Sequence, residues 1–259
     1  MNFTSVKSHL NRRYCHIQIS KPESSNSLDE LLINELQSAL LNAQKERSVK
    51  VIVLSGEGEH FCNFYDSTYL RSLITVDYTL QQELVQQIGR LYQLMVSCRK
   101  PIIALVEGKA FGPGLGILLA CDVVFGSSES LYALPEVTMG LVPGYEMMML
   151  AKRIGEGKAK YYAMSGSSFT AHEALQMGCI DSIVSPIELI GKGLMFAEKL
   201  AVECNASAVG LIKEFYSRRT GMSPGDVQEF AANLSALSRM SAEAKNSIQS
   251  LIDADRNGQ

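Results

Sequence analysis

This 259-residue chain has no run of lysine and arginine longer than a pair such as Arg12-Arg13 or Arg218-Arg219, and 27 acidic residues outnumber 24 basic ones for a net charge of −3. Nucleic-acid binding draws on a basic patch that displaces counterions from phosphate, so its absence argues against that class of partner. Long apolar runs are missing too. The longest, 117–125, is interrupted by Asp122 and falls far short of the ~20 residues that a membrane-spanning helix needs. The first ten residues lack the apolar stretch of a secretory signal, which predicts a cytoplasmic protein with no membrane partner. Cys15, Cys62, Cys98, Cys121, Cys179 and Cys204 show no C-x-x-C spacing and no histidine in metal-ligand register. Reduced thiols are therefore expected rather than disulfides or a metal site, with Cys121 a small core hydrophobe. No internal repeat, low-complexity tract or interdomain linker is evident.

What is present is the composition of a globular protein with a substantial core, 46% hydrophobic and 20% charged. Residues 16–20 alternate with period two, and a polar turn at 21–27 leads into an amphipathic helix with Leu28, Leu31, Leu32, Leu36, Leu40 and Leu41 on one face. Val51-Ile52-Val53-Leu54 then reads as a buried strand. A loop at 55–66, a helix near 79–98, a strand at 102–106, a helix at 115–120, a strand at 123–125 and a short segment at 131–133 follow. Strands alternating with helices imply parallel pairing with right-handed crossovers, an α/β sheet protein. From about 143 only helices are expected. One of them opens on a capping box, Thr170 with Glu173, and stops at Gly178, which leaves His172 a structural residue in a solvated first turn. Two more helices, at about 225–238 and 241–253, follow the breaker 221–224.

Gly112-Pro113-Gly114-Leu115-Gly116 sits between a strand and a helix. It is not a P-loop, since no Gly-Lys-Ser/Thr follows, and it lacks the third glycine of a dinucleotide fingerprint. Two readings remain open: glycines that merely permit a tight turn, or amides at a helix start that stabilise a negative oxygen.

Other segments bear on that choice. The stretch 56–66, Lys100-Pro101-Ile102-Ile103-Ala104, Gly108-Lys109-Ala110-Phe111-Gly112, Cys121-Asp122-Val123-Val124 and the stretch 131–144 around Leu134-Pro135-Glu136 resemble the enoyl-CoA hydratase/isomerase (crotonase) superfamily in order and spacing. So does the turn from Lys21-Pro22 to Asn26-Ser27-Leu28. The resemblance implies an α/β, crotonase-like spiral of ββα units at 1–195 and a C-terminal helical region at 196–259 that forms a lid and assembles homotrimers or hexamers. It implies an acyl-thioester substrate carried on coenzyme A or an acyl carrier protein, with no cofactor beyond the coenzyme A or phosphopantetheine of the substrate and with no metal. It also implies an enolate held by two backbone N–H groups while acidic side chains move protons.

Carried onto this sequence, the first oxyanion donor is the N–H of Tyr65, preceded by Phe64 where the family usually has glycine. The second donor position is Pro113, which has no hydrogen to give. Of the two hydratase glutamates, the first position is Gly116 and the second is Glu136. A single carboxylate fits double-bond migration or elimination better than hydration. The resemblance thus implies Glu136 and Tyr65 as catalytic. It implies Lys21, Ser24, Cys62, Phe64, Asp66, Phe111, Gly112, Pro113, Gly114, Pro135 and Tyr145 as substrate-binding. Glu146 stands where the family has small glycines at a helix start, either as a first-turn acid that favours the helix dipole or as a replacement catalyst. The neighbouring methionines read as gap-filling core. The glycine at 116 and the turn at 21–26 also resemble crotonase homologues of polyketide β-branching, which dehydrate a carrier-bound acyl group. The stretch 244–252 departs from the family's usual ending, which implies an altered lid. Phe64, Pro113 and Gly116 also fit a second class, a catalytically degenerate homologue that binds thioesters or serves as a scaffold.

Overall fold

The computed structural model describes residues 3–257. The chain opens with a hairpin of strands β1 (Val6–Leu10) and β2 (Tyr14–Ile19), and β2 buries Cys15, Ile17 and Ile19 while the alternate side chains stay half-exposed. Helix α1 (Glu30–Lys45) starts at Asp29, whose carboxylate accepts the Leu32 N–H at 2.8 Å. It buries Leu32, Ile33, Leu36, Ala39, Leu40 and Ala43, a stripe at helical spacing. Leu31 and Leu41, expected on that face, are instead 50% and 41% exposed because they lie just beyond its margin.

Three similar units follow. Strand β3 (Val51–Gly56) leads to β4 (Cys62–Asn63) and helices α2 (Ser67–Leu73) and α3 (Tyr78–Ser97). Strand β5 (Ile102–Val106) leads to β6 (Lys109–Phe111) and α4 (Pro113–Leu119). Strand β7 (Val123–Ser127) leads to β8 (Leu131–Ala133), a 3-10 turn at Pro135–Met139, and helices α5 (Gly144–Ile154) and α6 (Glu156–Ser165). The first strand of each unit joins a six-stranded sheet ordered β1-β2-β3-β5-β7-β10, and the second joins a four-stranded sheet ordered β4-β6-β8-β9. Here β9 is Phe169–Thr170 and β10 is Ser182–Val184, on either side of α7 (Ala171–Met177). Apart from the β1–β2 and β8–β9 pairs, all neighbours run parallel. One strand in each sheet per turn makes the chain a spiral of ββα units, the architecture implied by the resemblance.

The second half, expected from its sequence to be only helical, also contains strands. β9 and β10 close the two sheets with strands of two and three residues, too short to carry a period. The capping box is formed: the Thr170 hydroxyl accepts the Glu173 N–H, the Glu173 carboxylate accepts the Thr170 N–H, and Gly178 ends α7 in the left-handed region. Helix α8 (Pro186–Glu203) packs across the large sheet, where Leu189, Ala197 and Ala201 meet Val51, Val53, Ile103 and Leu105. Helices α9 (Ala206–Arg218), α10 (Pro224–Arg239) and α11 (Ala242–Asn257) complete the chain. Lys213 of α9 reaches back to Asp122, 2.6 Å away, whose other contact is the Ile102 N–H that starts β5. Among the described residues, no helix is long and apolar enough to cross a membrane.

Candidate active site

The small sheet positions the site. Because β4, β6 and β8 are adjacent and parallel, the segments leaving their C-terminal ends converge, the usual place for a ligand crevice in a parallel sheet. Those segments are Phe64-Tyr65, Gly112-Pro113 and Leu134-Pro135-Glu136. The Gly112 N–H donates to the Ala133 carbonyl at 2.9 Å, and the Leu28 N–H to the Phe64 carbonyl at 2.8 Å, which fixes two of them to their neighbours.

Glu136 lies in the first turn of the 3-10 segment, 2% exposed, and neither carboxylate oxygen has a hydrogen-bond partner among the described residues. A buried carboxylate without partners resists ionising. Desolvation pushes its pKa up to about 7, Glu146 adds repulsion, and its own backbone N–H opposes both. Gly112 explains how the acid fits. It has φ +52°, and a Cβ there would lie 2.6 Å from Glu136 Oε1 and 2.7 Å from the Phe64 ring. Glycine therefore lets the carboxylate and the ring meet over the turn.

Tyr65 N–H donates to no acceptor among the described residues, and neither does the N–H of Gly114 or Leu115, so this junction presents unpaired donors. Pro113 offers none, but its fixed φ suits the first position of α4. Phe64 stands at φ +69°, which accounts for the glycine preferred at this position in the resemblance. Its ring meets Tyr65 edge to face at 5.0 Å, and Tyr65 stacks on Tyr69 at 5.7 Å. Burial raises the Tyr65 phenol, and the charges of Glu146 and then Glu136 raise it further.

The other expected site residues divide. Cys62, Gly112, Pro113 and Gly114 are buried at the junction, and Phe111 and Pro135 are half-buried beside it. Lys21, Ser24 and Asp66 form a separate rim. The Lys21 ammonium pairs with Asp29 at 2.5 Å and reaches Asp66 at 3.9 Å, Asp66 caps α2 through the Thr68 N–H, and the Ser24 hydroxyl donates to the Lys21 carbonyl at 3.3 Å. These three groups are occupied in tying loops together. Tyr145 sets its ring against Gly89 of α3 and edge to face with Tyr92 at 6.4 Å.

Sequence reasoning missed Tyr92. Its hydroxyl lies 2.7 Å from Glu146 Oε1 and 3.2 Å from the Pro113 carbonyl oxygen. Glu146 does lie in the first turn of α5, but it is 3% exposed and turned into the protein, not toward solvent. Desolvation raises its pKa, and the Tyr92 hydrogen bond pulls the other way. Only the placement of a tyrosine on the apolar stripe of α3, with Leu84, Ile88, Leu91 and Met95, could have hinted at a buried polar contact.

The profile of the family described as enoyl-CoA hydratase/isomerase matches residues 10–254. A protein named "probable enoyl-CoA hydratase" in Rhizobium meliloti is 31% identical over 186 residues, 71% of this chain and 70% of that protein. The short-chain-enoyl-CoA hydratase of Clostridium acetobutylicum is 28% identical over 204 residues, 78% of this chain and 77% of that one. In fold, the crystal structure of an enoyl-CoA hydratase from Shewanella pealeana superposes with a TM-score of 0.92 at 21% identity, covering 97% of this chain and 94% of that one.

Proposed function

Since this chain belongs to the enoyl-CoA hydratase/isomerase family, we propose that it moves protons on an acyl thioester, with Glu136 as the acid–base group and the Tyr65 N–H on the enolate oxygen. The observation that carries this reading is the burial of Glu136 with neither oxygen partnered among the described residues, beside turns in which the N–H groups of Tyr65, Gly114 and Leu115 also find no acceptor among those residues. A carboxyl poised near neutrality can take a proton from carbon and return it. Negative charge forming on the thioester oxygen would meet the Tyr65 amide beside a buried carboxyl. Lys21, Ser24 and Asp66 on the rim are assigned to the carrier arm, from coenzyme A or an acyl carrier protein, and Phe111 and Tyr145 to the acyl side. The thioester supplies its own pantetheine, and no further cofactor is part of the proposal. Exposed Leu237 on α10, Met240 at its C-cap, and Leu251 and Ile252 on α11 support assembly of residues 196–259 into a homotrimer or hexamer.

A second reading is favoured by Pro113, which removes a donor, and by the Phe64 ring packed at Gly112: a homologue that binds thioesters without turning them over. One experiment separates the two. Wild type and Glu136→Gln are given enoyl and 3-hydroxyacyl thioesters on both carriers, with turnover followed by mass spectrometry and binding by calorimetry. Turnover in wild type that falls at least ~100-fold in Glu136→Gln, with binding kept, supports the enzyme. Binding without turnover in wild type supports the scaffold.

A further inference from the structure

In this chain the acid expected at position 116 is missing, but the space above Gly116 is filled. A Cβ on Gly116 would lie 2.2 Å from the Tyr92 hydroxyl and 3.0 Å from Glu146 Cγ. A side chain growing from α4 has thus been replaced by a hydrogen-bonded pair reaching the same volume from α3 and α5. The pair sits one turn of α4 beyond Gly112, where the Glu136 carboxylate lies. Four residues of helix rise about 6 Å, so one acid lies beside the two oxyanion turns and the other about one turn farther along α4, a separation that leaves room for reacting carbons between them. The Tyr92 hydroxyl has two acceptors within reach, Glu146 Oε1 and the Pro113 carbonyl. When Glu146 is protonated it donates to Tyr92, and Tyr92 donates to Pro113. When Glu146 is ionised, Tyr92 turns to it. The hydroxyl therefore satisfies both protonation states of a buried acid without moving the backbone.

We propose that Glu146, positioned by Tyr92, is a second catalytic acid–base group that replaces the one absent from Gly116, so that the substrate is a 3-hydroxyacyl or 2-enoyl thioester from which water is lost or to which it is added. This rests on the Glu136 reading and extends it from one proton carrier to two. In the direction of loss, Glu136 carboxylate takes a hydrogen from C2, and the C–H electron pair moves onto the thioester oxygen as an enolate held by Tyr65 N–H. The enolate returns its pair to form the C2–C3 double bond as the C3–O bond breaks. The departing hydroxyl takes the proton of Glu146 and leaves as water, and the Tyr92 hydroxyl turns to the new carboxylate. Proton exchange through water from Glu136 to Glu146 resets the pair, and the addition of water is the reverse.

The test follows two reactions on the full chain with 2-enoyl- and 3-hydroxyacyl-CoA: water addition or loss, and exchange of the C2 hydrogen in D2O. Glu146→Gln, close in shape, is expected to lower the first at least ~100-fold and the second less than ~10-fold, since only the first needs an acid at C3. The titratable groups around Glu146 and its partner Tyr92 are Cys62 on β4, Tyr65 after it, and Glu136 in the 3-10 turn, none of them a cation. Tyr92→Phe removes the hydrogen bond that favours ionised Glu146, so it should move the pH midpoint of water addition upward. A purely space-filling pair would leave that midpoint in place. Moving the acid back, with Gly116→Glu, Tyr92→Ala and Glu146→Gly together, should recover water addition over Glu146→Gly alone. The inference is overturned if Glu146→Gln lowers both reactions equally or neither, or if wild type exchanges C2 hydrogen but neither adds nor removes water. A wild type without C2 exchange overturns the Glu136 reading and this one with it.

Discussion

The turn after β4 and the turn after β6 occupy equivalent places in consecutive units of the spiral, yet each departs from economy in the opposite way. The first keeps a usable amide at Tyr65 but forces Phe64 into the left-handed region at φ +69°, where a side chain costs about 1–2 kcal/mol. The second keeps glycine at the strained position, Gly112 at φ +52°, but follows it with a proline that deletes the donor. One turn carries strain and keeps an N–H at the position after it, while the other is relaxed and has a proline there. Glu136 lies against the second turn, so the Tyr65 amide and the Glu136 carboxyl come from different units and are brought together only across the small sheet.

The comparison breaks most sharply at Gly112. Gly112→Ala would set a Cβ against Glu136 Oε1 and Phe64 at a backbone angle closed to alanine. Stability should fall by about 3 kcal/mol in urea titrations, and turnover at least ~1000-fold by kcat/KM. Next is Glu136→Gln as a stability probe. The folded carboxyl has its pKa raised from 4.5 to about 7, so its contribution to stability is complete below the unfolded value and is lost as pH rises through 7. Glutamine never ionises. Glu136→Gln should therefore be about 3 kcal/mol more stable than wild type at pH 8 and equal to it at pH 4, read by denaturant unfolding at both pH values. Pro113→Gly restores an amide to the second turn and should raise kcat about 100-fold, at a stability loss of about 1 kcal/mol, measured by steady-state kinetics and melting. Phe64→Gly makes the first turn as relaxed as the second. Relief of strain is offset by the freer unfolded chain and the lost ring contacts, so stability should change by less than about 1 kcal/mol while KM falls several-fold.

How far these features could be read in advance depends on the range of the interaction. β3 and β5 were legible as apolar runs because both their faces are covered, and α1, α3 and the capping box at Thr170 because their signals span a few residues. β4 and β9 have two residues each and β6 three, held by pairing to distant strands, so no local pattern marks them. The burial of Glu136 follows from three loops converging, something its own neighbours in sequence do not encode; only a family motif singled it out. The Tyr92–Glu146 contact joins residues 54 apart across Gly116, and the acid's placement in a first helical turn was equally consistent with a helix-dipole role. Its traces were the tyrosine on the apolar stripe of α3 and the glycine at 116, the latter meaningful only once the helices that fill its space are known.

The most direct test of Glu136 as the proton carrier is exchange of the C2 hydrogen of an acyl thioester with D2O, followed by NMR from pH 5 to 9. Wild type is expected to show exchange that rises through a midpoint near 7, and Glu136→Gln to show none above the uncatalysed rate. Exchange that proceeds in Glu136→Gln at the wild-type rate would contradict it.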